Sequence, residues 1–539
     1  MRRPSKSRSS FVALTCGAFA VMSVAAADGC GMDGEATSTS PPGADGAPGA
    51  DGTTTADGAT GADGATNPDG SSSSDGGKDA SDASDAADAA DAADVYVEPP
   101  GPLSPGYVDY DINHVLLTGQ SNAVSNGGDP PLSAAQPYTN LMFDTGVMPM
   151  NQCDGNGCKA YQTPAAFLPL VESDQFFNYK VETPSNGIAD EISMLAAGTY
   201  EFGVRAGYPT KHDVLVSIHG RSGNTYSCLR KGFCNYNLAR GHISPFGQGM
   251  SEVTSAKALA AAAGLTYVVR AAVTIHGESD HYSYVNGSQE FPMAGTDGVP
   301  NKIKDYSDGL VEWQQDYEAS VQAITGQVQP VPLLVSGISG WTTTRTSKVA
   351  QWQLDAHVRA AGKVVYVTPS YPMTVRNDCL HFDNKGYRKL GEYFAKVYSR
   401  VVFGGQKWEP VRPKAIARAG AVVTVQYYVP APPLVFDTTH VTNPGNYGFD
   451  FVDNGALVAI SSVVLSAPDT VTITLAAAPS GVNMRLRYAQ NQPAAGGCIG
   501  NGIAYAGGAR GNLRDSDATP SQYGNDLWNW GANLDVDVP

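Results

Sequence analysis

The chain has 539 residues, a formal net charge of −17 and a pI near 4.9, so it is long enough for more than one domain and a large core. The charge is unevenly distributed. Residues 28–94 contain 14 Asp and one Glu against one Lys, and residues 1–27 contain four basic residues, which leaves about −7 for residues 95–539. The low pI therefore belongs mostly to one segment and does not indicate an acidic active site. It also argues against nucleic acid as a partner.

Residues 1–27 have the composition of an export signal. Four basic residues within the first eight precede an apolar run from Phe11 to Ala27 that ends in small residues. Cleavage after Ala27 is one expectation. The other is lipid attachment at Cys30, although Asp28 departs from the small residues usual before a lipidated cysteine. In both cases the protein is expected to be exported. Cleavage would give an extracellular protein, and lipid attachment would give a cell-surface lipoprotein held to the membrane through Cys30.

Residues 28–95 are of low complexity. Gly-Ala-Asp and Asp-Gly units repeat, and Asp then recurs at every third position from 79 to 94. Almost no side chain is apolar and larger than alanine, so no core offsets the entropy of ordering. We predict a flexible, self-repelling acidic tether.

The chain contains eight cysteines, one of which, Cys16, lies in the export signal. In an exported protein, close pairs of cysteines in Gly/Asn-rich loops predict local disulfides. The spacings do not suit a zinc ribbon, so we predict no metal site from them. Three candidate pairs follow: Cys153 with Cys158, Cys228 with Cys234, and Cys379 with Cys498.

From residue 108 to about 410, short apolar runs alternate with segments of helical periodicity. This alternation predicts an α/β domain whose parallel sheet is covered on both faces. An insert, residues 127–207, is expected to be mostly irregular. The predicted strands are His114–Leu117, Asp213–Ile218, Thr266–Ile275, Val331–Val335 and Val364–Val367, and the predicted helices are Ser251–Ala263, Tyr306–Thr325, Lys348–Ala361 and Lys385–Val402, the last capped near Asp383 or Asn384.

Residues 411–539 show a different pattern, with short strands separated by turn residues. This predicts a C-terminal all-β domain. Two interpretations of it remain: a structural sandwich packed on the first domain, which we favour because no row of aromatic residues is evident, or a carbohydrate-binding module. The predicted strands are Val422–Tyr428, Leu457–Ile460, Val471–Thr474 and Met484–Tyr488.

Polar groups follow several strands of the α/β domain at the point where each strand ends. Ser121 follows the first strand in the run Gly-Gln-Ser-Asn, and Asp378 and His381 follow the last one. Between them come His-Gly-Arg-Ser-Gly-Asn from residue 219 and His-Gly-Glu-Ser-Asp from residue 276. Because parallel strands end at the same edge of a sheet, these loops are expected to converge.

These blocks resemble those of SGNH-type hydrolases, specifically the sialate O-acetylesterase and acetylxylan esterase branch, the sixth carbohydrate esterase family. That branch has Gly-Gln-Ser-Asn, Gln-Gly-Glu-Ser-Asp and Asp-x-x-His; here they are residues 119–122, 276–280 and 378–381. The resemblance covers residues 112–402 and implies a flavodoxin-like, three-layer α/β fold with a parallel sheet. The chain departs from the family at His276, where the family has Gln.

The resemblance implies a carboxylic ester hydrolase with a Ser-His-Asp mechanism and no cofactor. Ser121 is the expected nucleophile, His381 the general base and Asp378 the residue that orients the histidine. The expected oxyanion donors are the amides of Ser121 and Gly220 and the side chain of His276, with Gly223 as an alternative to Gly220. The expected partner is an acetylated oligo- or polysaccharide, and the sequence indicates no oligomeric state.

Three other interpretations remain at this stage. His276, Glu278, Asp280 and His281 form a candidate metal cluster. A non-catalytic carbohydrate-binding surface protein is possible if the hydrolase domain has lost its activity. A lipase or thioesterase of the same fold is the third interpretation, against which the polar inserts argue.

Overall fold

A computed structural model describes residues 103–149, 161–172, 180–198, 212–232, 234, 243–288, 291–341, 346–481, 483–490 and 508–539. These residues belong to one unit of the chain. It has an α/β part and a β-rich C-terminal part.

A seven-stranded sheet forms the centre of the α/β part. Its strands are β1 (Ile112–Gly119), β2 (Leu141–Phe143), β3 (Phe167–Pro169), β4 (Val214–Ile218), β5 (Tyr267–Ile275), β6 (Leu333–Gly337) and β7 (Val364–Pro369). They are ordered β3-β2-β4-β1-β5-β6-β7, and all except β3 run parallel. β1 is central and every residue in it is buried. The prediction of a parallel α/β sheet is confirmed.

The helices are α1 (Pro184–Gly198), α2 (Tyr226–Leu229), α3 (Pro245–Ala262), α4 (Glu278–Val285), α5 (Tyr306–Thr325), α6 (Lys348–Arg359) and α7 (Asn384–Tyr398). In several of these helices, a side chain accepts otherwise unpaired backbone N–H groups of the first turn. Asp305 caps α5, Ser347 caps α6 and Asp383 caps α7. The predicted bounds of α5 and the predicted cap of α7 are confirmed. The last predicted turn is a separate π-helical segment, Ser399–Phe403.

The insert was predicted to be mostly irregular, and most of its described residues do lie outside helices and strands, but the regular elements within it were not predicted. It contains β2, β3 and helix α1, which packs against α7. Two glycines allow the close approach of these helices: a Cβ on Gly187 would lie 2.1 Å from the Arg388 carbonyl oxygen, and one on Gly391 would lie 2.3 Å from the Pro184 carbonyl oxygen. The helix escaped prediction because its buried side chains include polar ones, among them Asp190.

The C-terminal part is built from strands, as predicted, and these pair antiparallel. These are β8 (Arg412–Ala419), β9 (Val422–Tyr428), β10 (Val435–Phe436), β11 (Phe449–Asp453), β12 (Ala456–Val458), β13 (Ile460–Ala467), β14 (Thr470–Leu475), β15 (Met484–Tyr488), β16 (Leu513–Arg514) and β17 (Leu534–Asp537). Two four-stranded sheets have the orders β12-β11-β15-β17 and β13-β14-β9-β8, and β10 pairs with β16.

The two parts share one hydrophobic core, which includes Tyr371, shortly after β7, and Trp530 near the C-terminus. Hydrogen bonds also join them. The Tyr371 hydroxyl donates to the Gly531 carbonyl at 2.8 Å, and the buried Lys396 ammonium donates to Asn529 Oδ1 at 2.6 Å. This shared core suits the structural interpretation of the C-terminal part.

One of the predicted local disulfides is confirmed, between Cys228 and Cys234. Cys379 is also disulfide-bonded, and Cys498, its predicted partner, lies outside the described residues, as do Cys153 and Cys158. Within the described ranges, no helix has both the length and the apolar character needed to cross a membrane.

Candidate active site

The loop that carries Ser121 begins at a position that only glycine can occupy. Gly119 has φ 134°, and a Cβ there would lie 2.2 Å from the carbonyl oxygen of Ile275 on the neighbouring strand. The chain then turns: the amide of Ala123 donates to the Gln120 carbonyl at 2.9 Å, and that of Asn126 donates to the Ser121 carbonyl at 3.0 Å. The end of β1 therefore presents Ser121 at the carboxyl edge of the sheet.

The loop after β7 holds Asp378 and His381 as a closed pair. Asp378 Oδ1 accepts the amides of Leu380 at 3.0 Å and His381 at 2.9 Å, and Asp378 Oδ2 lies 2.7 Å from His381 Nδ1. Burial opposes ionisation of Asp378, but these hydrogen bonds outweigh it and lower the pKa of the carboxyl to about 2. The carboxylate is therefore ionised at neutral pH and accepts from Nδ1–H.

That contact determines which nitrogen of His381 can accept a proton. With Nδ1 protonated and bonded to Asp378, Nε2 of the neutral ring has the free lone pair. Nε2 is buried and, within the described part of the chain, has no hydrogen-bond partner. The ring therefore has the tautomer that a general base requires.

Asn122 joins the serine loop to the histidine loop. Its Nδ2 donates to the Leu380 carbonyl at 3.1 Å and to Glu278 Oε1 at 3.2 Å, while its Oδ1 accepts from the Tyr387 hydroxyl at 3.0 Å. Since Asn122 follows Ser121 and Leu380 precedes His381, these bonds bring the predicted nucleophile and base to neighbouring positions. The role of Asn122 was not predicted, although it stands in the Gly-Gln-Ser-Asn block.

Glu278 is a second carboxyl group near His381. It is buried, and within the described residues its Oε2 has no hydrogen-bond partner. Burial raises the pKa of Glu278, while the bond from Asn122 and the positive charge of protonated His381 act in the opposite direction. Charge on one of these groups therefore favours charge on the other. This interaction was not predicted from the sequence, because Glu278 was placed there only in a candidate metal cluster.

Two backbone N–H groups are available beside Ser121. Among the described residues, neither the Ser121 amide nor the Gly220 amide donates to a protein acceptor. A Cβ on Gly220 would lie 2.7 Å from the Gly119 carbonyl oxygen, which in turn accepts the Arg221 amide at 2.8 Å. The Gly220 loop is thus bonded directly to the end of β1, where its amide suits the predicted oxyanion role.

Gly220→Ala tests this placement. The added methyl group must displace either the Gly220 loop or the end of β1, which moves the amide away from the oxyanion. We expect kcat for p-nitrophenyl acetate to fall by roughly 10²-fold with a smaller change in KM, as for the loss of one oxyanion donor. Gly223→Ala is the comparison, since a Cβ there meets nothing within 4 Å, although its φ of 69° carries its own strain. Equal loss in both variants would contradict the assignment to Gly220.

The contacts of His276 favour a supporting role over the predicted donor role. The ring is fully buried; its Nδ1 lies 2.7 Å from the Tyr306 hydroxyl and its Nε2 lies 3.0 Å from the Asn224 carbonyl oxygen. Burial lowers the pKa of His276 to about 4, so at neutral pH the ring has one N–H, which it donates to Asn224. Gln120 holds the same loop, because its Oε1 accepts the amides of Gly277 at 3.3 Å and Ser279 at 2.9 Å.

His276→Gln is expected to change the pH dependence of stability. The folded-state pKa of His276, about 4, is below the ordinary value of 6.5. The contribution of the neutral ring to the free energy of unfolding is therefore complete above pH 6.5 and is lost as pH falls to 4. The loss is on the order of 3 kcal/mol. Urea unfolding at pH 7, 5.5 and 4 should show the stability gap between wild type and variant narrowing with acidity. A constant gap would contradict the buried neutral ring.

The candidate metal cluster has no geometric support in the described ranges, where no three His, Cys, Asp or Glu side chains are grouped to hold an ion. His281 and Asp280 instead have protein partners: His281 Nδ1 lies 2.9 Å from Ser347 Oγ, and Asp280 Oδ2 accepts the Tyr226 amide at 3.0 Å. Two aromatic residues near the carboxyl edge of the sheet, Tyr226 and Trp341, are also buried.

Comparison with known proteins gives no matching family model and no matching curated protein. Solved structures do resemble the chain. XAC1771, a carbohydrate acetylesterase from Xanthomonas citri, is 13% identical with a TM-score of 0.46, over 79% of this chain and 80% of its own. Est24, a carbohydrate acetylesterase from Sinorhizobium meliloti, is 11% identical with a TM-score of 0.27, over 54% of this chain and 99% of its own.

The structure titled NanS is 11% identical with a TM-score of 0.33, over 54% of this chain and 98% of its own. At these identities and TM-scores, the likenesses contribute nothing to the assignment of an activity. The function must therefore be argued from the residues of the site.

Proposed function

We propose that the chain is a serine esterase that removes O-acetyl groups from carbohydrate. The observation on which this depends is the pairing of Asp378 with His381 in a loop that Asn122 bonds to the Ser121 loop. The pairing leaves His381 Nε2 without a protein partner among the described residues, on the side of the ring opposite Asp378. This is the arrangement that activates a serine hydroxyl for attack on an ester.

In the first half-reaction Ser121 Oγ attacks the acetyl carbonyl carbon while His381 Nε2 takes the hydroxyl proton. The new imidazolium is stabilised by Asp378, whose low pKa keeps it ionised, and by Glu278 when that group is charged. The oxyanion accepts hydrogen bonds from the backbone N–H groups of Ser121 and Gly220. As the C–O bond to the sugar breaks, His381 returns its proton to the sugar oxygen, which leaves as a hydroxyl.

In the second half-reaction water replaces the sugar. His381 Nε2 takes a proton from the water, whose oxygen attacks the acetyl-enzyme carbonyl. The tetrahedral intermediate then collapses, Ser121 Oγ recovers its proton from His381, and acetate leaves. This chemistry requires no cofactor, because the nucleophile, base and charge stabilisation come from protein groups.

The polar side chains around Ser121 support a hydrated substrate. Asn126 and Ser222 are half-buried on the two adjoining loops, where Asn126 Nδ2 donates to Ser222 Oγ at 2.8 Å. A site for a long acyl chain is instead expected to be lined mainly by apolar side chains. The Gly-Gln-Ser-Asn block that contains Ser121 also resembles that of carbohydrate esterases, so acetylated carbohydrate is the substrate class we propose over a lipid.

Acetate release from acetylated xylan and hydrolysis of p-nitrophenyl acetate and octanoate test this function on the full chain. We expect turnover of the acetyl esters and little turnover of octanoate. A preference for octanoate would instead assign a lipase-like enzyme. If none of the three substrates is hydrolysed, the non-catalytic carbohydrate-binding surface protein is favoured.

We also propose that the protein is exported and tethered outside the cell. The N-terminal segment and the acidic low-complexity residues 28–95 support this proposal. Labelling of producing cells with radioactive palmitate tests lipid attachment. Label that disappears in Cys30→Ala would indicate a lipoprotein, while unlabelled protein in the medium would indicate a free secreted form.

A further inference from the structure

A cavity of about 620 Å³ lies where helix α6 meets strands β15 and β17. Gln351 and Trp352 line it from the helix, and Arg485, Asp535 and Asp537 line it from the strands. Its volume falls in the range of small-molecule sites, about 300–1,000 Å³. None of these residues is part of the proposed catalytic machinery.

Five charged residues line this cavity, and Arg485, Asp535 and Asp537 among them are paired with one another. Of the other two, Asp355 Oδ1 accepts from Gln351 Nε2 at 2.7 Å, and Lys348 Nζ lies 5.0 Å from the centre of the Tyr284 ring. Arg485 Nε lies 2.5 Å from Asp535 Oδ1, and Arg485 Nη1 lies 2.6 Å from Asp537 Oδ1. Arg487 Nε lies 3.0 Å from Asp535 Oδ2, and the Asp535 amide donates to Gln351 Oε1 at 2.7 Å. Three carboxylates and two basic groups thus line the wall, and Arg487, bonded to Asp535, offsets the third carboxylate. The wall has several donors and acceptors with little unbalanced charge, which suits an uncharged, hydroxyl-rich ligand better than an ion.

Trp352 supplies an aromatic surface in the same wall. The indole is half-buried, and contacts with Tyr284, 5.5 Å between ring centroids, and Phe291, 6.4 Å between ring centroids, hold its orientation. An aromatic ring packs against the C–H groups of a sugar while nearby polar groups bind its hydroxyls. This combination distinguishes the cavity from a site for a purely polar or purely apolar ligand.

The wall of the cavity is connected to the elements that carry the active site. Helix α6 begins after β6, whose carboxyl end is two strand spacings, about 10 Å, from that of β1. Ser347, which lines the cavity and caps α6, has its Oγ 2.9 Å from His281 Nδ1 in α4. Helix α4 also contains Glu278, so one short helix connects the cavity wall to the catalytic site.

We propose that this cavity is an accessory subsite that binds an uncharged sugar residue of the carbohydrate whose ester is cleaved at Ser121. The inference rests on the proposed function for the link to catalysis, but the binding of sugar at the cavity can be measured without it. It also assigns the β-rich part a function in substrate binding, shared with α6, rather than a separate carbohydrate-binding module.

Binding is tested by affinity electrophoresis of the full chain with Ser121→Ala, which prevents turnover, in gels containing arabinoxylan, galactoglucomannan or polygalacturonate. We expect a neutral polysaccharide to retard the protein and Trp352→Ala to weaken that binding roughly tenfold. Asp537→Ala, at an exposed side chain, is a second variant in case loss of the indole unfolds the protein. Trp528→Ala, outside the cavity, is the matched control.

The proposal is overturned if no neutral polysaccharide retards the protein, if polygalacturonate alone does, or if both cavity variants bind like the Trp528 control. A kinetic comparison separates this result from failure of the esterase assignment. With Ser121 present, Trp352→Ala should raise KM for an acetylated xylo-oligosaccharide relative to p-nitrophenyl acetate. An inactive wild-type protein whose polysaccharide binding still requires Trp352 would reject the esterase function and retain the sugar site.

Discussion

Ser121→Ala is expected to lower kcat for acetyl esters by about four orders of magnitude or more, because the acyl-enzyme can no longer form. The fold should be preserved. Among the described residues the Ser121 hydroxyl makes no hydrogen bond to the protein, so its removal leaves no buried partner unpaired. Single-turnover acetate release and thermal unfolding of wild type and variant would measure the two effects separately.

Ser222→Ala is the matched control for this prediction. Its hydroxyl lies on the adjoining loop and accepts a hydrogen bond from Asn126, so its loss should change kcat only slightly and stability by about 1 kcal/mol. Retention of wild-type rate by Ser121→Ala would exclude the nucleophile assignment. Equal loss of rate in the two variants would show that the serine loop had been disturbed rather than that a nucleophile had been removed.

The sequence was most informative where local signals and burial agree. Helix α5 was predicted with its observed bounds from its helical periodicity. The structure shows that local signals agree with it, because Asp305 caps the first turn and Gly326 ends the helix in the left-handed conformation. β1 was predicted as a shorter strand, because Thr118 and Gly119 look like the start of a loop but continue the pairing with β5. Helix α1 was missed because its burial depends on α7, nearly 200 residues further along the chain.

In the candidate site, too, the features that follow from local pattern and strand order were predicted, and those that depend on distant contacts were not. The positions of Ser121, Asp378 and His381 at one edge follow from the parallel order of the strands, which the alternating pattern indicated. The ring contacts of His276 could not be predicted, because Tyr306 and Asn224 approach it from other elements. A family position that donates a hydrogen bond as Gln therefore need not do so as His. The predicted oxyanion role of that position was an inference from alignment of blocks, not from tertiary contacts.

Asp378→Asn is expected to lower kcat by about 10³- to 10⁴-fold, since the amide no longer holds His381 in the tautomer with Nδ1 protonated. Glu278→Gln is its matched comparison. Gln keeps an oxygen for the bond from Asn122 but cannot carry the negative charge with which an ionised Glu278 stabilises the imidazolium. We expect a smaller loss, roughly tenfold, in this variant. Steady-state kcat and KM for p-nitrophenyl acetate, with thermal unfolding as the test of folding, distinguish the two.

The relative size of these losses decides which carboxylate orients the base. Asp378 is bonded to His381 Nδ1 at 2.7 Å, whereas Glu278 acts on the ring through its charge. A hydrogen bond fixes both tautomer and orientation, and a nearby charge stabilises only the protonated form. If Glu278→Gln lost as much rate as Asp378→Asn, or more, the ring would have to turn toward Glu278 during turnover. The dyad seen here would then be a resting arrangement, and the buried carboxylate would be the catalytic partner of His381.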